Sequence, residues 1–328
     1  MSHDEAKRSV KGTAVEDKQP SAPALSAIVI IPDTYDTVRN TMKHLQSQTA
    51  AKQMEIVIVK PTRLQIGLDE VDLNHFHSWR IVELDKVTSI ARGFAAGIKG
   101  ARAPIVALTE DHSYPDEKWA ELFIAAHQNP RAVVGPSMRN GNPDNMLSWA
   151  DFYQAYGEWT PPISSGPVRL LPGHNSSYKR GILLEFGEEL EILMEAESVL
   201  HRRLQAKGYE LYLESGTCTS HLNFNTWSSW MPKRYYSGRQ FASTWANSWS
   251  WQRRLLFTVA SPLVPWIRLL RVQRNVRRSQ SLGFLLRLLP FMLTGLLMEG
   301  VGHMMGYAAG AGDSFEKVGK YEFHRISK

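Results

Sequence analysis

Three short runs of β-branched and aliphatic residues shape the first third of the chain: residues 26–32 (SAIVIIP), 54–59 (MEIVIV) and 104–108 (PIVAL). Each is continuous rather than alternating, as expected of strands covered on both faces. The segments between them have helical spacing. Residues 37–48 set Val38, Met42 and Leu45 three or four positions apart, and 90–100 is a small-residue helix. Residues 80–84 read as a further strand and 119–127 as a helix. Residues 132–135 follow, and then a loop rich in Asn, Pro and Gly. Strands alternating with helices imply βαβ units and a mostly parallel α/β sheet. Ligands of such sheets bind beyond the carboxyl ends of the strands. Two acidic segments fall at such ends, residues 33–36 and 110–112.

Further along, residues 171–179 (LPGHNSSYK) are polar and turn-forming. Residues 190–208 read as one helix closed by Gly208, with Ile192, Leu193, Val199, Leu200 and Leu204 as its apolar positions. A strand over 209–213 follows, with His221 shortly beyond it.

The net charge of +6 hides an asymmetry. Residues 226–328 hold 15 Lys+Arg against 4 Asp+Glu, leaving 23 against 28 in residues 1–225. A slightly acidic body joined to a basic part points to a catalytic domain with a separate anion-facing surface. One cysteine, Cys218, excludes an intrachain disulfide and fits a reducing compartment. Residues 1–25 are polar and charged without an apolar core, the composition of a disordered tail rather than a signal peptide.

Glu110-Asp111-His112 is the first candidate for chemistry. A carboxylate and an imidazole two residues apart on a loop leaving a strand can face one divalent ion, and Mn2+ accepts mixed oxygen and nitrogen ligands more readily than Mg2+. A solvated turn before Pro115 is the plainer account of the same residues. His221 gains interest only if the fold brings it to His112. Glu189, Glu191, Glu195 and Glu197 lie on one acidic helix, mostly accounted for as a solvated face, and an inverting sugar transfer needs one carboxylate to take the acceptor's proton. On a single helix, Glu195 and Glu197 diverge by roughly 200° and cannot share that task.

Over residues 26–225 these pieces resemble family two of the inverting GT-A glycosyltransferases, a Rossmann-like nucleotide-diphospho-sugar transferase fold. Ile30-Ile31-Pro32 followed by Thr34-Tyr35-Asp36 resembles its first-strand signature, with Asp33 as an extra residue. Gln48 stands where a glutamine closes its first helix, and Ala91-Arg92 resembles the start of its Ala-Arg-Asn-x-Gly helix. Aligned on Pro115, Glu110-Asp111-His112 falls on its metal-binding Asp-x-Asp. Gly173-His174-Asn175 resembles its acceptor-side Gly-x-Asn. Leu200, Arg203, Leu204, Gly208 and Tyr209 fit its Glu-Asp-x-x-Leu-x-x-Arg-Leu…Gly-Tyr helix, which puts Glu197 on the catalytic acid.

The resemblance implies metal ligation by Glu110 and His112, with Mn2+ or Mg2+ as the ion, and His221 would be an added ligand if the fold brings it to His112. It implies donor contacts from Pro32, Thr34, Tyr35, Asp36, Arg92 and Asp111, and an acceptor side at Gly173, His174 and Asn175. The partners would be a nucleotide-sugar donor and a glycan or lipid-linked acceptor. Several positions depart from the family. Lys60-Pro61-Thr62 replaces its Asp-Asp-Gly-Ser, and Gly93 and Ala95 replace an Asn and a Gly. The donor base is therefore open. No Gln-x-x-Arg-Trp motif accompanies these residues, so processive polysaccharide synthesis is not implied. The altered motifs also fit a catalytically weak binding or scaffolding protein.

The C-terminal region, 226–328, carries six of the ten tryptophans, and apolar segments at 255–270 and 284–298. Arg268, Arg271, Arg274, Arg277 and Arg278 recur every three or four positions as one basic helical stripe. The apolar runs look short for a bilayer needing about 20 residues, and Glu299 and His303 interrupt the second. The expectation is therefore a helical part lying on an anionic membrane, at the cytoplasmic face, rather than spanning it. A helical hairpin packed on the catalytic domain, or a homo-oligomer contact, is the alternative use of these helices. Long aliphatic runs between the basic residues argue against a nucleic-acid partner.

Overall fold

The computed structural model describes residues 12–17, 22–65 and 72–323, the first of these for the backbone only. The chain runs β1 (Gly12–Asp17), β2 (Leu25–Ile30), α1 (Arg39–Gln46), β3 (Met54–Pro61), β4 (Ser78–Leu84), α2 (Ile90–Gly100) and β5 (Ile105–Thr109). Next come β6 (Ser113–Pro115), α3 (Trp119–Ala126), β7 (Arg131–Asn140), α4 (Met146–Tyr156), β8 (Gly166–Pro167), β9 (Ser177–Lys179) and α5 (Arg180–Leu184). Then α6 (Leu190–Glu195), α7 (Glu197–Ala206) and β10 (Glu210–His221) precede five helices: α8 (Trp227–Trp245), α9 (Trp251–Ala260), α10 (Val264–Ser279), α11 (Leu282–Ala309) and α12 (Ser314–Phe323).

Two compact units make up this mixed α/β chain. The first comprises residues 1–111, 116–135 and 167–212; the second comprises 112–115, 136–166 and 213–328. The composition break at Thr226 falls inside the second. Strands β7 and β10 each begin in the first unit and end in the second.

In the first unit the strand order is β1-β4-β3-β2-β5-β9-β7. Strands β4, β3, β2 and β5 are parallel, with Ile28 opposite Val57 on one side and Leu108 on the other. Every residue of β2, β3 and β5 is buried, which is why these runs are mostly apolar. Ile31, Val38, Met42, Leu45, Trp119 and Phe123 pack on the sheet, each burial worth about 1.5–3 kcal/mol for the aliphatic ones. Glu55, buried on β3, ties neighbouring strands together through Ser26 Oγ and the Arg80 guanidinium, at 2.5 and 3.0 Å.

Several elements differ from the sequence reading. Gly12–Asp17, expected in a disordered tail, is a strand pairing antiparallel with β4; the rest of residues 1–21 lies outside the described set. The helix expected over 190–208 is two helices, broken at Ala196, whose backbone (φ −134, ψ 67) is not helical. Glu195 and Glu197 therefore end and begin separate helices, and the divergence argued for one helix does not apply. The strand expected over 209–213 is twelve residues long and contains His221 as its last residue. Helix α4 was not anticipated at all.

The second unit is mainly helical around Phe152, Tyr153, Trp230, Leu288 and Met292. Helices α8 and α11 approach at glycines: a Cβ on Gly302 would collide with the Tyr235 carbonyl, and one on Gly238 with that of Glu299. Glu299, which seemed to interrupt an apolar segment, is paired with Arg234 of α8 and Arg268 of α10. With its charge met internally, α11 continues unbroken for 28 residues. The sequence reading undercounted here. Trp251–Ser279 and Leu282–Ala309 are both long and apolar enough to cross a membrane, by length and composition. The five-arginine stripe is also corrected. Arg268 serves Glu299 and the Gln154 carbonyl, and Arg278 donates to the carbonyls of Gly157, Glu158 and Thr160. Arg271, Arg274 and Arg277 remain exposed.

Candidate active site

Parallel strands β2 and β5 end side by side, and each hands the chain to a loop carrying candidate residues. After β2 and Pro32, Thr34 caps a short 3-10 turn by accepting the Asp36 N–H at 3.4 Å. Tyr35 is buried, and the Arg39 guanidinium lies 5.1 Å from its ring centroid. Asp36 is exposed and bonded to Arg39 at 2.6 Å. Arg92 sits in the first turn of α2, its N–H held by the capping Ser89 hydroxyl at 3.1 Å. After β5, the hydroxyl of Thr41 on α1 donates to the Asp111 carbonyl at 2.8 Å and fixes that exit.

Two carboxylates and the Gly173–Asn175 turn form one cluster in the first unit. Asn175, buried, donates its amide to Glu110 at 2.7 Å. The Glu197 carboxylate accepts the backbone N–H groups of Gly173 and His174 at 3.2 and 2.9 Å. His174 Nδ1 lies 3.1 Å from Glu197 and 3.8 Å from Glu110, while its Nε2 faces the Met194 carbonyl at 2.9 Å. Burial would lower the His174 pKa, but the Glu197 and Glu110 carboxylates outweigh it and hold the ring at about 10. Burial pushes the Glu197 carboxyl upward, against the opposing pull of His174. Gly173 is needed here for space, because a Cβ on it would lie 2.7 Å from the Glu197 carboxyl carbon. The turn assigned to an acceptor by resemblance is thus bonded to both acidic residues.

In the second unit His112 Nε2 and His221 Nε2 face each other at 3.0 Å, with both residues buried. Strand pairing sets this register: His221 stands opposite Ser113 in the β6–β10 ladder. The Leu222 N–H also bonds to the His112 carbonyl at 3.0 Å. Asn223 Oδ1 lies 3.0 Å from His221 Nδ1, and its amide nitrogen donates to Asn140 Oδ1 and to the His221 carbonyl, both at 2.9 Å. These two bonds orient the amide with its oxygen toward the ring, so His221 Nδ1 carries a proton and Nε2 is the nitrogen turned toward His112. Tyr156 OH lies 3.1 Å from the same Nε2.

Sequence reasoning missed Tyr156, Asn140 and Asn223. Asn223 is signalled weakly by lying two residues after His221. Tyr156 comes from a helix that no motif marks.

No family model matches the sequence, and no curated protein is similar to it by sequence. Among solved structures, the chain is similar to S. aureus TarS 1-349 in complex with UDP, at 16% identity and a TM-score of 0.46 over 86% of this chain and 90% of that one. It is also similar to the mannosyltransferase PcManGT from Pyrobaculum calidifontis in complex with GDP-Man and Mn2+. That likeness has 13% identity and a TM-score of 0.51, and covers 91% of each chain. It is a likeness of fold: this chain has a mixed α/β fold similar to that of the mannosyltransferase.

Proposed function

We propose that this chain is a metal-dependent, inverting glycosyltransferase moving a sugar from a nucleoside-diphosphate donor to a hydroxyl acceptor. The observation that carries it is the buried His112–His221 pair, 3.0 Å apart, on a chain whose Glu110 precedes His112 by two residues. Two nitrogens each about 2.1 Å from one ion, at right angles, stand about 3 Å apart. The pair has that spacing. His221 is also oriented by an outer amide on its Nδ1 side, with Nε2 turned toward His112, an arrangement usual around a ligating imidazole. The donor set therefore fits Mn2+ or Mg2+ held by Glu110, His112 and His221. Such an ion would neutralise charge on the departing diphosphate.

Glu197 is the residue for the proton. An acceptor hydroxyl is a weak nucleophile near neutrality, and a carboxylate raised by burial accepts its proton more readily than an ordinary one. The Gly173 and His174 amides keep this carboxylate in one place. Pro32, Thr34, Tyr35, Asp36, Arg92 and Asp111 are the donor-side residues in this reading. Lys60, where the family has an acid, leaves the base open. The acceptor would be a glycan or a lipid-linked sugar.

The test is thermal unfolding of the whole chain with a panel of nucleotide sugars, with and without Mn2+. A true donor at a hundred times its Kd stabilises by about 2.7 kcal/mol, and the metal should be required. Stabilisation by no nucleotide sugar in the presence of either ion would overturn the proposal.

A further inference from the structure

Helices α9 and α10 form one nearly continuous rod, Trp251–Ser279, broken only by a short 3-10 turn at Ser261–Leu263. Its buried side is small, with Pro265, Leu269, Val272 and Val276 packed inward. On the other side Trp251, Leu255, Val259, Leu263, Trp266 and Leu270 follow at steps of three or four residues. Every one is more than half exposed, from 54% to 72%. Most residues of that size are buried in a folded domain, and single exposed ones need no account. Six in register do, since they make an unbroken apolar strip about 28 Å long.

The strip has a charged continuation. Arg271, Arg274 and Arg277 come directly after Leu270, exposed, and no acid pairs with them among the described residues. The wider sequence sharpens this: from Glu214 to Glu299 there is no aspartate or glutamate between, against eleven Lys and Arg. Glu299 itself is occupied by Arg234 and Arg268. Tryptophan indoles at Trp251 and Trp266, leucines between them, and arginines without counter-ions are the parts of an interfacial helix. A protein partner of matching chemistry would need acidic groups beside an apolar groove. A second copy of the rod itself, Trp251–Ser279, has no acids to offer.

We propose that this face of the second unit binds the surface of an anionic phospholipid bilayer, with Trp251–Leu270 sunk to the acyl boundary and Arg271, Arg274 and Arg277 among the phosphates. The rod lies in the plane of the interface: its inward face is packed against its own unit, and its basic end follows the apolar strip on the exposed side. The charge contribution falls to three arginines rather than the five visible in sequence, because Arg268 and Arg278 are bonded inside the unit. This surface is independent of the proposed sugar transfer.

Flotation of the whole purified chain with preformed vesicles tests it. Vesicles mixing phosphatidylglycerol with phosphatidylcholine should carry the protein upward, and pure phosphatidylcholine should carry at least about tenfold less. Arg271→Glu, Arg274→Glu and Arg277→Glu together should cut binding to the acidic vesicles by more than about tenfold. Leu255→Glu with Leu270→Glu should abolish binding. All five side chains are exposed, so unchanged thermal unfolding of the variants is the folding control. Wild-type protein left at the bottom with acidic vesicles would overturn the proposal. So would flotation of the leucine variant at wild-type level. A wild-type dimer that the leucine variant converts to monomer, with no flotation by either, would assign the face to a second copy instead.

Discussion

Nδ1 of His174 lies 3.1 Å from Oε1 of Glu197, and the opposite ring nitrogen lies 2.9 Å from the Met194 carbonyl. Both nitrogens face acceptors, so both carry protons and the ring is an imidazolium beside a carboxylate. Its pKa, held at about 10, is above the ordinary value near 6.5. A raised histidine adds stability that is complete below about pH 6.5 and is lost as pH rises through about 10. Nitrogen chemical shifts of the ring should therefore stay those of an imidazolium up to pH 9. In Glu197→Gln, which removes the nearer anion, the ring should lose its proton at lower pH. A ring that titrates near 6.5 in the wild type would show that the pair is not ionic.

His112→Ala removes one imidazole of the facing pair and leaves its strand register to the backbone. Metal-dependent nucleotide binding should weaken by about tenfold to a hundredfold, the range seen when support for a metal site is lost. Nucleotide binding without metal should change little. Calorimetric titration at several Mn2+ concentrations separates the two, and equal affinity at every concentration would remove His112 from the metal site.

His127 offers an acid-stability test in the first unit. It is buried, with one ring nitrogen 3.2 Å from the Arg131 carbonyl and the other 3.0 Å from the Ser177 hydroxyl. Burial, together with the Lys179 and Arg131 charges, lowers it to about 4. The folded ring stays neutral while the unfolded one takes up a proton below about pH 6.5. Stability is present above that pH and falls as pH drops toward 4, by an amount on the order of 3 kcal/mol. His127→Gln cannot titrate, so its unfolding free energy should be flatter over that window. His201, lowered to about 3 by burial, adds to the same trend and survives the substitution. Identical pH slopes for variant and wild type would show that His127 is protonated in the fold.

The sheet was legible because burial on both faces writes itself into sequence: β2, β3 and β5 are buried at every step and apolar at most of them, and Ile90–Gly100 emerged at its observed bounds. The break at Ala196 was not legible. Alanine is a good helix former, and the residue just after the break, Glu197, is bonded to the distant Gly173 and His174 amides, a contact no local pattern announces. The His112–His221 contact spans 109 residues and depends on a strand register that no local pattern encodes. His221 could be nominated but not placed. The arginine stripe failed for a related reason. Period alone cannot tell Arg271, which faces outward, from Arg268, which is committed to Glu299.

Glu197 is the decisive residue for catalysis. Glu197→Gln keeps the side chain's size but has one carbonyl oxygen where the carboxylate uses two, so it can accept only one of the Gly173 and His174 N–H bonds, and it is a poor proton acceptor. Donor binding should hold while transfer falls by about two orders of magnitude or more, since a positioned base contributes roughly 10²–10⁴-fold. Glu195→Gln, on the helix that ends before Ala196, should do much less. Gly173→Ala supplies an orthogonal check. Its added methyl would meet the Glu197 carboxyl carbon at 2.7 Å, so the carboxylate must move, at a cost of about 1–3 kcal/mol for overpacking. Displacing the base should slow transfer without touching its charge, and kcat should fall more than kcat/KM for donor hydrolysis by water. If Gly173→Ala and Glu197→Gln both left transfer at the wild-type rate, direct displacement with Glu197 as base would be excluded. If Glu195→Gln alone were slow, the role would pass across the Ala196 break to Glu195.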